Sequence, residues 1–301
     1  MKFDIIGRRY LWFALSALII IPGLISMVLR GFNLGIDFTG GTLLDLQFVR
    51  PVTVVEVRTV LDDYKLGNST IQLASTSQTE AAQNVFIRTR VLDDDERRIV
   101  IEDMHKRLGD FEVQRVEKVG AVIGSELTWQ AIKAVLLAAF FMVLYLTYRF
   151  EFRFAVSGIL AIFHDVLVVL GVFSLLQKEI DSSFVAAILT IVGYSITDTV
   201  VIFDRIRENL KMQRKNESLQ ELVNHSIWQT MTRSMYTILT VLFATASLYF
   251  FGGETTKNFS FALLVGFISG VYSSIFNASP IWVTWKEYAD RKRLAGRAKA
   301  K

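Results

Sequence analysis

Cysteine is absent from the 301 residues, which excludes disulfides, thiolate metal ligands and a cysteine nucleophile together. Only three prolines occur, as suits a chain that is largely helical. Charge is scarce as well, at 21% of residues against 52% hydrophobic, where a soluble chain carries about 25% and about 45–50%. The charges nearly cancel, leaving +4. Basic residues gather beside apolar blocks and form no stripe, so they read as topology signals and not as a nucleic-acid footprint. No G-x-x-x-x-G-K-[ST] occurs, so no P-loop binds ATP.

What is present is long apolar sequence. A span through hydrocarbon needs about 20 apolar residues, and six segments qualify: Tyr10–Leu29, Trp129–Tyr148, Phe154–Leu176, Phe184–Phe203, Ser234–Phe251 and Phe259–Trp285. The first is too long for the apolar core of a cleaved signal peptide and lacks a small-x-small site after it. Lys2, Arg8 and Arg9 precede it. Arg149 and Arg153 lie between the second and third segments, Arg205, Arg207, Lys211, Arg214 and Lys215 follow the fourth, and seven basic residues fill the tail from Lys286 to Lys301. The short loops of the other side carry only Lys178 and Lys257. The positive-inside rule therefore predicts both termini in the cytoplasm.

The expected organisation is a cytoplasmic start and first span over 1–29, an extracytoplasmic domain over 30–128, five further spans over 129–285 with a cytoplasmic loop at 204–233, and a basic tail over 286–301. Within the external piece, Thr42–Val49 reads as a strand after Gly40-Gly41. Thr53-x-x-Glu56 is a capping box opening a helix to about Lys65, with Gly67 as its stop. Thr70–Ala74 and Asn84–Val91 read as strands, Asp93-x-x-Glu96 opens a second helix ended near Gly109, and Phe111–Val119 is a last strand. The predicted fold class is thus a membrane all-α bundle of six helices with one extracytoplasmic α+β domain of βαββαβ, ferredoxin-like order. No nucleophile–base pair stands in this domain, so no enzyme activity is expected. His105 reads as a solvated bystander, and Asp93-Asp94-Asp95 lacks the spacing and glycine of a calcium loop. No metal site and no cofactor is expected.

The informative residues are polar groups at membrane depth, where a charge costs about 2.5–3.5 kcal/mol and normally faces the bundle interior. Helical spacing gathers Thr190, Tyr194, Thr197 and Asp198 on one face of the fourth span. Asp198 lies roughly 21 Å from that span's outer end at 1.5 Å per residue. It reads as a protonatable carboxylate or as helix–helix glue. Arg233, roughly 27 Å from the outer end of the fifth span, either snorkels to the cytoplasmic interface or turns inward to Asp198. His164 and Asp165 sit mid-way along the third span. His164 reads equally as a packed imidazole or a proton relay, whereas an unpartnered Asp165 is costly. Gly266, Gly270, Ser273, Ser274 and Asn277 form a small-residue face on the sixth span that permits close packing. Leu219, Leu222, Val223 and Ile227 mark an interfacial helix leading into the fifth span.

Gly31-Phe32-Asn33-Leu34-Gly35-Ile36-Asp37-Phe38-Thr39-Gly40-Gly41, Tyr148–Arg153, His164-Asp165-Val166 and Gly193-Tyr194-Ser195-Ile196-Thr197-Asp198-Thr199 through Asp204-Arg205 to Asn209 together resemble the signatures of the SecF family of protein-export membrane subunits, in the RND superfamily. The single short external domain favours that family over the related SecD. The resemblance implies a heterodimer with SecD, association with the SecYEG translocon, exported polypeptides as substrate, and use of the proton motive force in a bacterial plasma (inner) membrane. It implies proton coupling through Asp198 and the arginine at Arg233. Thr197 stands where the family commonly has asparagine, and Ser234–Thr240 is poorer in serine and threonine than usual. Two other readings remain: an ion-coupled RND-type exporter of lipids or small molecules, and a passive translocon scaffold.

Overall fold

The computed structural model describes residues 3–73, 81–213 and 217–299. The predicted strand end at Ala74 and the basic residues Lys2, Arg214, Lys215 and Lys301 lie outside them. The elements in chain order are α1 (Arg9–Leu29), β1 (Asn33–Leu34), a single turn α2 (Ile36–Thr39), β2 (Gly41–Val52), α3 (Val54–Asp62), β3 (Thr70–Leu73), β4 (Ala82–Thr89), α4 (Asp94–Leu108), β5 (Phe111–Val119), α5 (Ala121–Arg149), α6 (Phe152–Leu176), β6 (Glu179–Ile180), α7 (Ser182–Lys211), α8 (Leu219–Phe251), α9 (Glu254–Ser273), a π-helical segment (Ser274–Ala278) and α10 (Ser279–Lys299). They form two compact units, one of 34–133 and one of 1–33 with 134–301.

In the smaller unit β2 to β5 make one antiparallel sheet of order β3-β4-β2-β5. Leu44, Leu46 and Phe48 alternate along β2 and enter a core with Val57 and Leu61 of α3 and Val100, Met104 and Leu108 of α4, as a period of two requires. Pro51 is tolerated because the β2–β4 register breaks between Gln47 and Val52. Both predicted caps form. Thr53 accepts from Glu56 N–H and the Glu56 carboxylate takes the Thr53 N–H at 2.8 Å, and Asp93 caps α4 through Glu96 N–H. The first helix ends sooner than expected, at Asp62, because Lys65 turns into the left-handed region at φ 57°. His105 is not free in solvent but stacks on Phe111 at 3.8 Å.

The Thr53 backbone and hydroxyl bonds hold the Glu56 carboxyl below the usual carboxylate range. Its stabilisation is therefore present above the unfolded value and lost as pH falls through the folded one. Thr53→Ala should lower the stability of an isolated 34–133 fragment by about 1 kcal/mol at pH 7. It should cost less once Glu56 is protonated, measured by urea denaturation at both pH values.

The larger unit holds six helical stretches long and apolar enough to cross a membrane. Much of α1 and α5 presents bare apolar side chains, including Leu18, Val28, Leu136, Phe140 and Phe141, which suits a lipid solvent and not water. The chain is a multi-pass membrane helical protein with an additional α+β domain. Where a cytoplasmic loop at 204–233 was expected, α7 runs on to Lys211 and α8 begins at Leu219 under a Ser218–Glu221 capping box. The amphipathic stretch is thus the first turns of α8 itself. Leu222, Val223 and Ile227 are buried in protein, where the Asn224 carboxamide oxygen accepts from the Ile5 and Ile6 N–H groups. Beside these buried residues, Asn224 and Trp228 tie the start of α8 to the chain's own amino-terminal segment. Gly23 and Gly171 let α1 and α6 cross closely, since a Cβ on Gly23 would lie 2.7 Å from the Gly171 Cα.

Candidate functional site

Asp165 on α6 is fully buried, with no solvent exposure. Ser195 of α7 donates to its Oδ2 at 2.6 Å, Ser273 of α9 to Oδ2 at 2.8 Å, and Ser269 of α9 to Oδ1 at 2.7 Å. His164 Nδ1 lies 3.1 Å from Oδ1. Four donors thus fill the roughly four lone-pair directions of one carboxylate. The geometry follows from helical spacing: Ser269 and Ser273 are four apart on one face of α9. Gly266 and Gly270 continue that face and bring α9 against α7. A Cβ on Gly270 would sit 3.2 Å from the Ser195 Cβ, and one on Gly266 would strike Ile191. The small-residue face therefore allows the close packing expected of it, and its serines also supply the ligands of Asp165. One turn further, Thr199 and Ser274 share a hydrogen bond at 2.8 Å, where the sixth span enters its π-helical segment, a feature frequent at functional sites.

His164 is packed, with its ring stacked on Tyr272 at 5.8 Å. Its Nε2 is buried without a hydrogen-bond partner among the described residues. Tyr272 donates to the Trp12 carbonyl at 2.8 Å, and Asn277 and Ser16 bond to one another beside it.

Asp198 stands one turn from Ser195 and looks toward α8. Its Oδ1 accepts from Ser234 at 2.5 Å, while Oδ2 is buried with no hydrogen-bond partner among the described residues. Arg233 makes no ion pair with Asp198 among the described residues. It is exposed and lines a crevice of about 280 Å³ with Asp204, Arg205, Glu208, Gln229 and Thr230. It still stands close enough to act on Asp198 electrostatically. Neighbouring hydroxyls do not converge on Asp198. Thr190, Thr197 and Thr237 each bond the carbonyl four residues back in their own helix, which satisfies them in lipid without a partner.

The remaining signature residues fall at two places. Asp204 joins Arg149 and Arg207, each at 2.9 Å, and both guanidiniums lie over the Phe150 ring. That ties the turn between α5 and α6 to α7. Arg205 pairs with Glu208 at 2.9 Å, Tyr194 packs on Phe267 at 4.7 Å, and Gly193 borders open space. In the smaller unit Gly35 precedes the turn that holds Asp37, and Gly40 and Gly41 follow it at φ 69° and 133°. A Cβ on Gly40 would lie 2.9 Å from the Ala121 Cα and one on Gly41 would collide with the Thr89 carbonyl. These glycines seat β2 against the start of α5 and against β4.

The sequence reading singled out both aspartates and missed the serines that hold them: Ser195, Ser269 and Ser234. Their four-residue repeat on α9 and the position of Ser195 three before Asp198 were signals available in the sequence.

A family model described as "Protein export membrane protein SecD/SecF, C-terminal" matches residues 100–288, and one described as "SecD/SecF GG Motif" matches residues 25–52. A protein named protein translocase subunit SecF from Acidaminococcus fermentans is 54% identical over 291 residues, covering 96% of this chain and 99% of that protein. One of the same name from Alicyclobacillus acidocaldarius is 43% identical, covering 98% and 96%. Among solved structures, SecDF from Thermus thermophilus, described as translocon-associated, superposes with a TM-score of 0.85 at 35% identity over 95% of this chain. This chain spans 39% of that longer SecDF chain.

Proposed function

Since this chain belongs to the SecD/SecF family of protein-export membrane proteins, we propose that it is the SecF-type half of a SecD-paired unit that uses the proton motive force to assist Sec-dependent translocation. It acts in a bacterial inner membrane beside the SecYEG channel, on polypeptides emerging outside. The observation that carries the proton-driven part is the lone buried Oδ2 of Asp198. An acceptor left without a donor in a low-dielectric interior is where a proton adds at least cost. When Asp198 is ionised, Ser234 and the through-space pull of Arg233 hold α8 to α7; when protonated, the carboxyl needs neither. That difference is what a gate requires. Near-complete coverage of relatives named as translocase subunits supports the export role over a lipid or small-molecule exporter. A passive scaffold has no use for an unsatisfied acid at this depth. The smaller unit, with its βαββαβ order and antiparallel sheet order β3-β4-β2-β5, is read as ferredoxin-like and as a non-catalytic module that contacts polypeptide.

The termini are placed in the cytoplasm by the basic flanks. Single cysteines replacing Val55 and Met212, both exposed, test this cleanly because no native cysteine competes. An impermeant thiol reagent on intact cells is expected to label the Val55 position alone. Labelling at Met212 with none at Val55 would invert the topology.

A further inference from the structure

We propose that His164 and Asp165 form a second proton-binding centre, separate from Asp198, in which the buried His164 Nε2 takes up the proton while Asp165 remains an anion. The assignment of roles follows from the hydrogen bonds. Asp165 receives three serine hydroxyls and lies 3.1 Å from His164 Nδ1. A carboxylate with all its acceptor positions filled by donors has no free place for a proton of its own. The same contact puts the proton of the neutral imidazole on Nδ1, so the bare nitrogen is Nε2. That atom is buried without a partner in a side chain that is 9% exposed. It is the one open acceptor of the cluster, and a proton arriving there makes an imidazolium paired to a carboxylate already in place. No group need move to create the counter-charge.

Among the described residues, the groups packed around the ring are neutral apart from Asp165. Tyr272 of α9 faces the ring, with its phenol hydrogen given to the Trp12 carbonyl. At this level α1, α7 and the π-helical segment present Ser16, Ser195 and Asn277, all neutral. The nearest charge on α10, Lys286, lies over the Trp282 ring, which stacks on Phe154 near the start of α6, far along the helix from His164. The centre is also wired to the first aspartate. Ser195, which grips Asp165, precedes Asp198 by three residues on α7, and Thr199, which grips Ser274, follows it directly. A rotation of α7 that frees Asp198 from Ser234 must strain both bonds, so the charge on one centre biases the position of the helix that carries the other.

This inference deepens the proton-driven reading, yet its test does not depend on export. The chain contains three histidines, so ring-nitrogen NMR of the intact SecD-paired complex, with histidine labelled in this chain alone, gives three ring systems, and His164→Gln identifies its own. The expected signal, followed from about pH 8 to about pH 5, starts with a proton on Nδ1 and none on Nε2 and gains the second proton as the pH is lowered. With Asp165→Asn the protonated fraction at a given pH should fall about tenfold or more, because the facing anion is gone. A signal with Nδ1 bare, or one unchanged across this range, overturns the proposal. If Asp165→Asn does not assemble, the wild-type tautomer and titration decide alone. Should His164 titrate as stated while Asp198→Asn still answers a proton gradient, it is the Asp198 gate that fails and the second centre that stands.

Discussion

Asp198→Asn is expected to abolish the gradient-dependent part of protein export while leaving the chain folded, inserted and paired with SecD. The amide keeps the volume of the carboxyl and can still accept from Ser234, so the α7–α8 contact survives in one fixed state. What it loses is the ability to change charge. Moving one charge through the full membrane field is worth about 2.3 kcal/mol per 100 mV, which biases a two-state element roughly fifty-fold at tenfold per 1.4 kcal/mol. All of that bias vanishes in the variant, whereas Asp198→Glu retains a titratable group and some of the activity. The outcome to measure is export of a reporter polypeptide into vesicles with and without an imposed proton gradient. A purely structural aspartate predicts the reverse, since a neutral amide is cheaper in hydrocarbon; an unaltered gradient response would therefore remove Asp198 from the mechanism. Arg233→Lys should weaken the response less than Asp198→Asn does, because the arginine is exposed in the crevice, acts on the acid through space and makes no ion pair with it among the described residues.

The second large effect belongs to the fold. Gly41→Val should destabilise the 34–133 unit by about 2–4 kcal/mol, from the strain of a β-branched residue at φ 133° and a clash with a backbone carbonyl that cannot swing away. In a domain of this size each kcal/mol lowers the melting temperature by about 4–8 °C, so the loss is readily seen by thermal denaturation of the fragment. Gly109→Ala, at φ 93° with only the tip of Arg50 nearby, controls for backbone conformation and should cost about 1 kcal/mol. Equal effects at the two positions would mean that the Thr89 carbonyl approach contributes nothing. In the full chain, Gly40 and Gly41 are then a packing requirement of the smaller unit.

The residues differ in how far they can be read from the sequence. Apolar stretches, the order of strands and helices in the smaller unit, and the caps at Thr53 and Asp93 were legible, because apolar run length, two- and 3.6-residue periodicity and capping are properties of neighbours in the chain. Helix ends were less so: the stretch between the fourth and fifth spans was expected as a loop holding an interfacial helix, yet α7 continues to Lys211 and α8 begins at Leu219, with Leu222, Val223 and Ile227 buried in protein. Depth alone marked Asp165 and Asp198 as residues in need of partners. Which partners they take is a matter of helix rotation and of how closely backbones approach. Gly266 and Gly270 bring α9 near enough for Ser269 and Ser273 to reach Asp165, and Ser234 occupies the place beside Asp198 that the charge of Arg233 suggested for the arginine. Composition and spacing determined that this chain carries six stretches long and apolar enough to cross a membrane, with acids it must protect; only packing between helices distant in sequence decided which hydroxyls protect them and which acid keeps an oxygen with no partner among the described residues.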